Sequence, residues 1–253
     1  MKNSILIIFV FVIAVNLYSQ GGSSYSLIGI GDLNHAGNAA YEGLGGTSIA
    51  FPSASSINFR NPALWSYVAL TRLQAGYKFN QHFNERESLS NFQNNGSISN
   101  LSALFAIDTS NGIAASFGIM PFTNINYLSA TPIKMQYEDI VLDGSTTYQG
   151  KGGLSIGYLG LSTKILSNLS VGISAYTHFG KVTTSRVTEF INDNYLFKYT
   201  NYKEDYFSGF GLKGGIFYQP FENFSIGYYY EKNQNLDVES NYIFSSPLAG
   251  DTS

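Results

Sequence analysis

LGLSTKILSNLSVGISAYTHFG, residues Leu159–Gly180, is the stretch that decides the fold. After Ser167-Asn168, the residues Leu169, Val171, Ile173 and Ala175 share one face. Ser170, Gly172, Ser174, Tyr176 and His178 share the other. Side chains alternate across a strand with period two, so this is a strand with one apolar and one polar side. Ser-Asn suits a tight turn, which makes the stretch a pair of antiparallel strands.

The same period continues in both directions. Strands are expected over Leu70–Asn80, Ser97–Asp108, Gly112–Phe122, Gly153–Ile165, Leu169–Lys181, Tyr206–Gln219 and Phe224–Asn233. In the first, Leu73, Ala75, Tyr77 and Phe79 oppose Arg72, Gln74, Gly76 and Lys78. In the third, Ile113, Ala115, Phe117 and Ile119 face out, against the small residues Ala114, Ser116 and Gly118. The fourth has apolar residues of both parities, Leu154, Ile156 and Tyr158 against Leu159 and Leu161. A bulge between them would reconcile the two sets.

The connections alternate in length. Asp108–Gly112, Ser167-Asn168 and Pro220–Asn223 are tight turns, whereas Gln81–Gly96, Phe122–Gly152 and Val182–Asp205 are long and polar. Outer-membrane β-barrels have short periplasmic turns and longer external loops. A soluble β-sandwich has no reason to alternate so regularly. The expected fold is therefore all-β, a transmembrane antiparallel barrel. Seven strands followed by a loop-like Val238–Ser253 make an odd count, and bacterial single-chain barrels have even counts. The pattern is therefore expected to be interrupted partway through a barrel.

Composition agrees. Charged residues are 12% against aromatics at 15%, with 26 glycines, where a soluble domain carries about a quarter charged residues. The net charge of −3 shows no basic patch for nucleic acid. There is no cysteine, so disulfides and thiolate metal sites are excluded. Lys2, the apolar run Ile5–Val15 and Ser19 or Gln20 read as a signal peptide over residues 1–20, cleaved on export to the outer membrane. Residues 21–67, rich in Gly, Ala, Ser and Asn, lack sustained alternation. Two readings stand for them, an inward-folded plug and a mobile periplasmic tail. The partial barrel would occupy 68–253.

Catalytic patterns are missing. His35, His82 and His178 lack metal-ligand spacing. There is no G-x-S-x-G elbow and no complete dinucleotide fingerprint. No enzyme, cofactor or metal is expected.

Three stretches resemble the FadL-type family of outer-membrane transporters for long-chain fatty acids and other hydrophobic compounds. They are GLGGTSIAFPSASSINFRNPAL (Gly43–Leu64), LGLSTKILSNLSVGISAYTHFG (Leu159–Gly180) and GFGLKGGIFYQPFENFSIGYYYE (Gly209–Glu231). The resemblance implies a fourteen-stranded barrel plugged by an N-terminal hatch, with this chain supplying the plug and about half the strands. It implies passive transport of fatty acids or similar molecules by lateral diffusion, without energy coupling. It also implies a hydrophobic small-molecule ligand, outer-membrane lipid as the other partner, and a monomer at full length. The alternative within that architecture is a surface or secretion-system binding platform without transport. Asn61, Pro62 and Ala63 form the hatch motif, since Pro fixes φ and Asn can satisfy nearby backbone groups. Gly118 and Pro121 are candidates for an inward kink in the third strand, although Pro121 would equally serve as a plain strand end.

Overall fold

The computed structural model describes residues 24–34, 38–53, 55–86, 89–137, 140–192, 195–232 and 235–245. The expected signal peptide and His35 lie outside the described residues. Ten strands follow in chain order: β1 (Asp32–Leu33), β2 (Arg72–Arg86), β3 (Leu89–Asp108), β4 (Ile113–Pro121), β5 (Thr123–Tyr137), β6 (Ile140–Leu166), β7 (Leu169–Asn192), β8 (Tyr195–Phe221), β9 (Phe224–Glu231) and β10 (Asp237–Ser245). A five-residue helix, α1 (Ala39–Gly43), and 3-10 turns at Ser24–Leu27 and Pro62–Tyr67 complete the elements.

The sheet is antiparallel throughout, ordered β2–β3–β4–β6–β7–β8–β10, with β5 beside β6 and β9 beside β8. Several elements share one line. β4 and β5 both pair with β6, at Ser155–Ser162 and Ile140–Gly152 respectively. β9 and β10 likewise divide β8 between them. Leaving β1 aside, the sheet therefore has the seven staves that the alternation predicts.

Val238–Ser253 reads as loop-like in the sequence, but its described part, Val238–Ser245, belongs to strand β10, and three further sequence expectations change. First, the long connections are not loops. β2–β3, β5–β6 and β7–β8 continue as paired hairpin arms, and β6 and β8 reach 27 residues each. Thr, Tyr, Ser and Asn on both faces hid this, because apolar alternation was missing although β-propensity was not. Second, the expected bulge between Tyr158 and Leu159 is not there, and the β6–β7 register is continuous through both residues. Leu154, Ile156 and Tyr158 point inward and are buried, while Leu159 and Leu161 point outward and are exposed. Both sides are apolar because both have apolar neighbours. Third, the described sheet is open, so neither a closed barrel nor a plug is present in it. Instead residues 38–53 and 55–68 lie against one face, here termed inner.

On the outer face, alternation holds closely. Exposed side chains include Leu73, Tyr77, Phe117, Ile119, Leu161, Ile173, Leu212, Ile216, Ile226 and Tyr228. On the inner face, Trp65, Ile57, Phe59 and Val68 of the N-terminal segment pack with Leu104, Met120, Ile156, Tyr158 and Tyr176 of the strands. A second cluster joins Ala63 and Leu64 to Phe217.

Candidate functional site

The N-terminal segment meets the inner face along its length, and its most densely hydrogen-bonded contact is the turn Asn61-Pro62-Ala63. Asn61 is fully buried and caps the Pro62–Tyr67 turn, its Oδ1 accepting from the Ala63 N–H at 3.1 Å. Its Nδ2 donates to the Ile49 carbonyl at 2.8 Å and to the Ile216 carbonyl of β8 at 3.1 Å. Pro62 at the first turn position has no N–H to leave unsatisfied. The Ala63 carbonyl accepts from Ser66 Oγ at 2.8 Å and from Ser170 Oγ of β7 at 3.0 Å. Asn58 supports the turn from behind. Its Oδ1 accepts the Asn61 N–H at 3.0 Å, its Nδ2 donates to the Ser48 carbonyl at 2.6 Å, and its own carbonyl accepts the Trp65 indole N–H. Buried polar groups are thereby satisfied by a network that crosses between segment and sheet.

Glycine makes room for this approach. Gly172 of β7 and Gly215 of β8 are directly paired across the strands. A Cβ on Gly172 would lie 2.5 Å from the Pro62 carbonyl carbon and 2.6 Å from the Ala63 nitrogen. A Cβ on Gly215 would collide with Asn61 Oδ1 and lie 2.8 Å from Pro62 Cδ. Gly227 of β9 admits the backbone of Ile49 in the same way. Gly172 and Gly227 are single glycines, and in the Gly214-Gly215 pair the strand register shows that Gly215 is the one that faces in.

The second inward feature is Lys213 of β8, which is 3% exposed. Its ammonium lies 3.4 Å from Glu231 Oε2 and 3.8 Å from the centre of the Phe59 ring. A buried ammonium is expensive unless paired, and the carboxylate and the ring face offset that cost. Lys213 lines a cavity of about 250 Å³ with Phe59, Arg60, Phe122, Ile156 and Glu231. Sequence reading passed over this group. An isolated charge in an otherwise apolar strand was the available signal.

Gly118 and Pro121 lie elsewhere, on β4. The β3–β4 ladder stops at Leu101 opposite Ile119, and β4 itself ends at Pro121, opposite Ser155. Gly118 lies under its neighbours, where a Cβ would be 2.8 Å from both the Leu101 carbonyl oxygen and Ser102 Oγ. Beyond Pro121 the sheet divides. The outer arm of β3 pairs with β2, while β5 continues along β6. β1 and the Ser24–Leu27 turn lie on the β5 side of that division, through Asp32 opposite Asn124 and the Asn126 N–H on Ser26 Oγ at 3.3 Å. The structure does not bring Gly118 and Pro121 together with Asn61-Pro62-Ala63 in one pocket. His178 of β7 faces inward, its ring edge-on to those of Phe122 and Tyr176. Among the described residues no group of three or more His, Cys, Asp and Glu could hold a metal.

A family model described as BamG matches residues 1–248. No curated protein and no solved structure matches the chain. BamG is distinct from the FadL-type family, so the FadL resemblance is overturned. Fatty acid transport falls with it, and so does the alternative of a FadL-like binding platform. The expected partner set, limited to bilayer lipid and a hydrophobic ligand around a monomer, is likewise withdrawn as a complete account. The physical reason lies in what the three stretches encode. Gly-rich alternating strands, a capped turn and tight hairpins specify how a segment packs on a sheet, not what the sheet carries.

Proposed function

The chain belongs to the BamG family, and from that membership we propose that it works in the machinery that assembles outer-membrane proteins. The family match over residues 1–248 carries this reading. An address in the cell envelope accords with it, reached through a cleaved leader over residues 1–20. The sheet closes into a transmembrane barrel in the assembled protein, and residues 21–67 fill its inner side. The outward apolar band fits a lipid solvent, since each lipid-facing stretch needs only about 9–11 residues. The chain acts by binding and positioning other proteins of that machinery, without catalysis and without a cofactor. Asn61, Pro62 and Ala63 hold the N-terminal segment in one shape. Gly118 and Pro121 end the shared ladder and let the hairpin arms diverge toward partners.

The test is depletion combined with capture. A tagged full-length protein, isolated from outer membranes in mild detergent, is expected to bring down other assembly subunits. Its depletion is expected to lower the amount of folded outer-membrane proteins, read as heat-modifiable bands on gels. Unchanged bands after complete depletion would remove the proposal.

A further inference from the structure

The inner face of the hairpin arms carries a groove that the proposed function does not use. Two neighbouring cross-strand rows form it. One runs Tyr127, Gly150, Thr184, Lys203, Tyr242 across β5, β6, β7, β8 and β10. The next runs Tyr148, Arg186, Asn201, Phe244. The groove holds about 410 Å³. Gly150 leaves the space that the Tyr127 ring fills. The Arg186 guanidinium lies 5.5 Å from the centre of the Tyr148 ring, and the Lys203 ammonium 5.3 Å from that of Tyr242.

Three features narrow the occupant. First, the backbone is already used. β6, β7 and β8 are paired on both sides through these rows, so the floor between β5 and β10 offers no free ladder to an extended peptide. Recognition rests on side chains. Second, those side chains are exposed rings flanking amide and hydroxyl groups, with Tyr242 72% exposed. Ring faces take up C–H surfaces, while Asn201 and Thr184 can exchange hydrogen bonds with hydroxyls. Third, the charge is unbalanced. Lys203 pairs with Asp205 at 2.8 Å, but among the described residues no carboxylate pairs with Arg186. An unpaired guanidinium fits one planar anion through two parallel hydrogen bonds. From β6 to β10 the row crosses three strand spacings, roughly 14 Å, which suits a chain of sugars more than a single one.

We propose that this groove binds an acidic oligosaccharide, its sugar rings on Tyr148 and Tyr242 and its carboxylate on Arg186. Titration calorimetry of the full-length protein in detergent tests this, with trigalacturonate as probe. Maltotriose serves as the uncharged control and a hexaglutamate peptide as the acidic one. Trigalacturonate is expected to bind, and maltotriose more weakly. Arg186→Gln is expected to weaken trigalacturonate at least tenfold, Arg186→Lys to restore part of that loss, and Tyr148→Ser to weaken both sugars. Both positions are on an accessible face, and unchanged thermal unfolding would show that each variant is folded. A variant that unfolds early is replaced by Asn201→Ala, for which the same loss is expected. No binding of trigalacturonate, equal binding by Arg186→Gln, or stronger binding of the peptide than of the sugar overturns the proposal.

Discussion

The lower and upper halves of β7 and β8 are the same two strands with two different outward surfaces. Below, the outward residues are Leu169, Val171, Ile173, Ala175 and Phe179 on β7, and Tyr218, Ile216, Leu212, Phe210 and Tyr206 on β8. Above, the outward face turns to ion pairs, Lys181 with Glu204 at 2.6 Å and Glu189 with Lys198 at 2.9 Å, joined by Lys134 with Asp143 at 3.2 Å on the neighbouring hairpin. The inner face changes too. Below, it is lined by small residues such as Ser170, Gly172, Ser174 and Gly215, over which the N-terminal segment packs. Above, it carries the open rows of Tyr, Arg and Asn. Pairing is continuous from one half to the other, with no register shift between Leu169 and Asn192 of β7 along β8. Backbone pairing is therefore indifferent to what the side chains face, and the side chains alone mark where the apolar band ends. That end lies between Phe179 and Lys181 on β7 and between Tyr206 and Glu204 on β8. Rings at such a boundary have one apolar and one wet side.

The sharpest way to break this division is to place one arginine in each half. Leu161, outward in the lower half of β6, replaced as Leu161→Arg, is expected to destabilise the sheet in a bilayer by about 2–4 kcal/mol. Val187→Arg, outward in the upper half of β7, is expected to stay within about 0.5 kcal/mol. Urea unfolding in lipid vesicles measures both. Equal losses would mean that the two halves share one solvent and that the apolar band is not a lipid band.

Much of this was legible beforehand, and the limits are physical. The seven staves, the three tight turns and the outward residues follow from period two, because a one-residue slip would reverse every face. Asn61-Pro62-Ala63 was legible as a structured turn from the residue types alone. The hairpin arms were not, since polar strands with solvent on both sides lose the apolar alternation that reveals a strand. Lys213 with Glu231 was hidden because its partner lies on another strand. The rows of the upper groove were hidden for the same reason, as Tyr148, Arg186 and Asn201 become neighbours only through register. The family was misread where turn and hairpin motifs, which encode packing, were taken to imply a cargo.

Within the lower half the two faces differ as much as the two halves do, and adjacent glycines test it. Gly215→Val would drive its side chain into the Asn61 amide and the Pro62 ring, and the Asn61 amide is held in place by its own hydrogen bonds. An overpacked contact of this kind costs about 1–3 kcal/mol. Gly214, one residue earlier, points outward with nothing within 4 Å of a Cβ. Gly214→Val is expected to be neutral or slightly stabilising, through a better strand residue on an apolar surface. Limited proteolysis of residues 43–68 reads the difference directly. Faster cleavage in Gly215→Val alone supports seating by the paired glycines. Similar cleavage in both variants would show that the turn is held by something other than the sheet.

The smallest effect belongs to the ion pairs of the upper half, and its direction follows from Glu204. Lys181 first, then the hydroxyls of Tyr202 and Tyr206, hold the Glu204 carboxyl below its usual range. A carboxyl depressed in the folded state adds stability above its unfolded pKa, and that contribution is lost as pH falls through the folded value. These groups are open to water, so the contribution is small and weakens with salt. Hydrogen exchange of the amides at 200–206 is therefore expected to quicken relative to those at 212–217 when the pH drops below the carboxylate range. Glu204→Gln is expected to show the quicker exchange already at neutral pH, with no further step on acidification. If acid instead loosened 212–217 first, the packed lower half and not the ion-paired upper half would be the softer end of β8, and the division drawn from the side chains would have its energetics reversed.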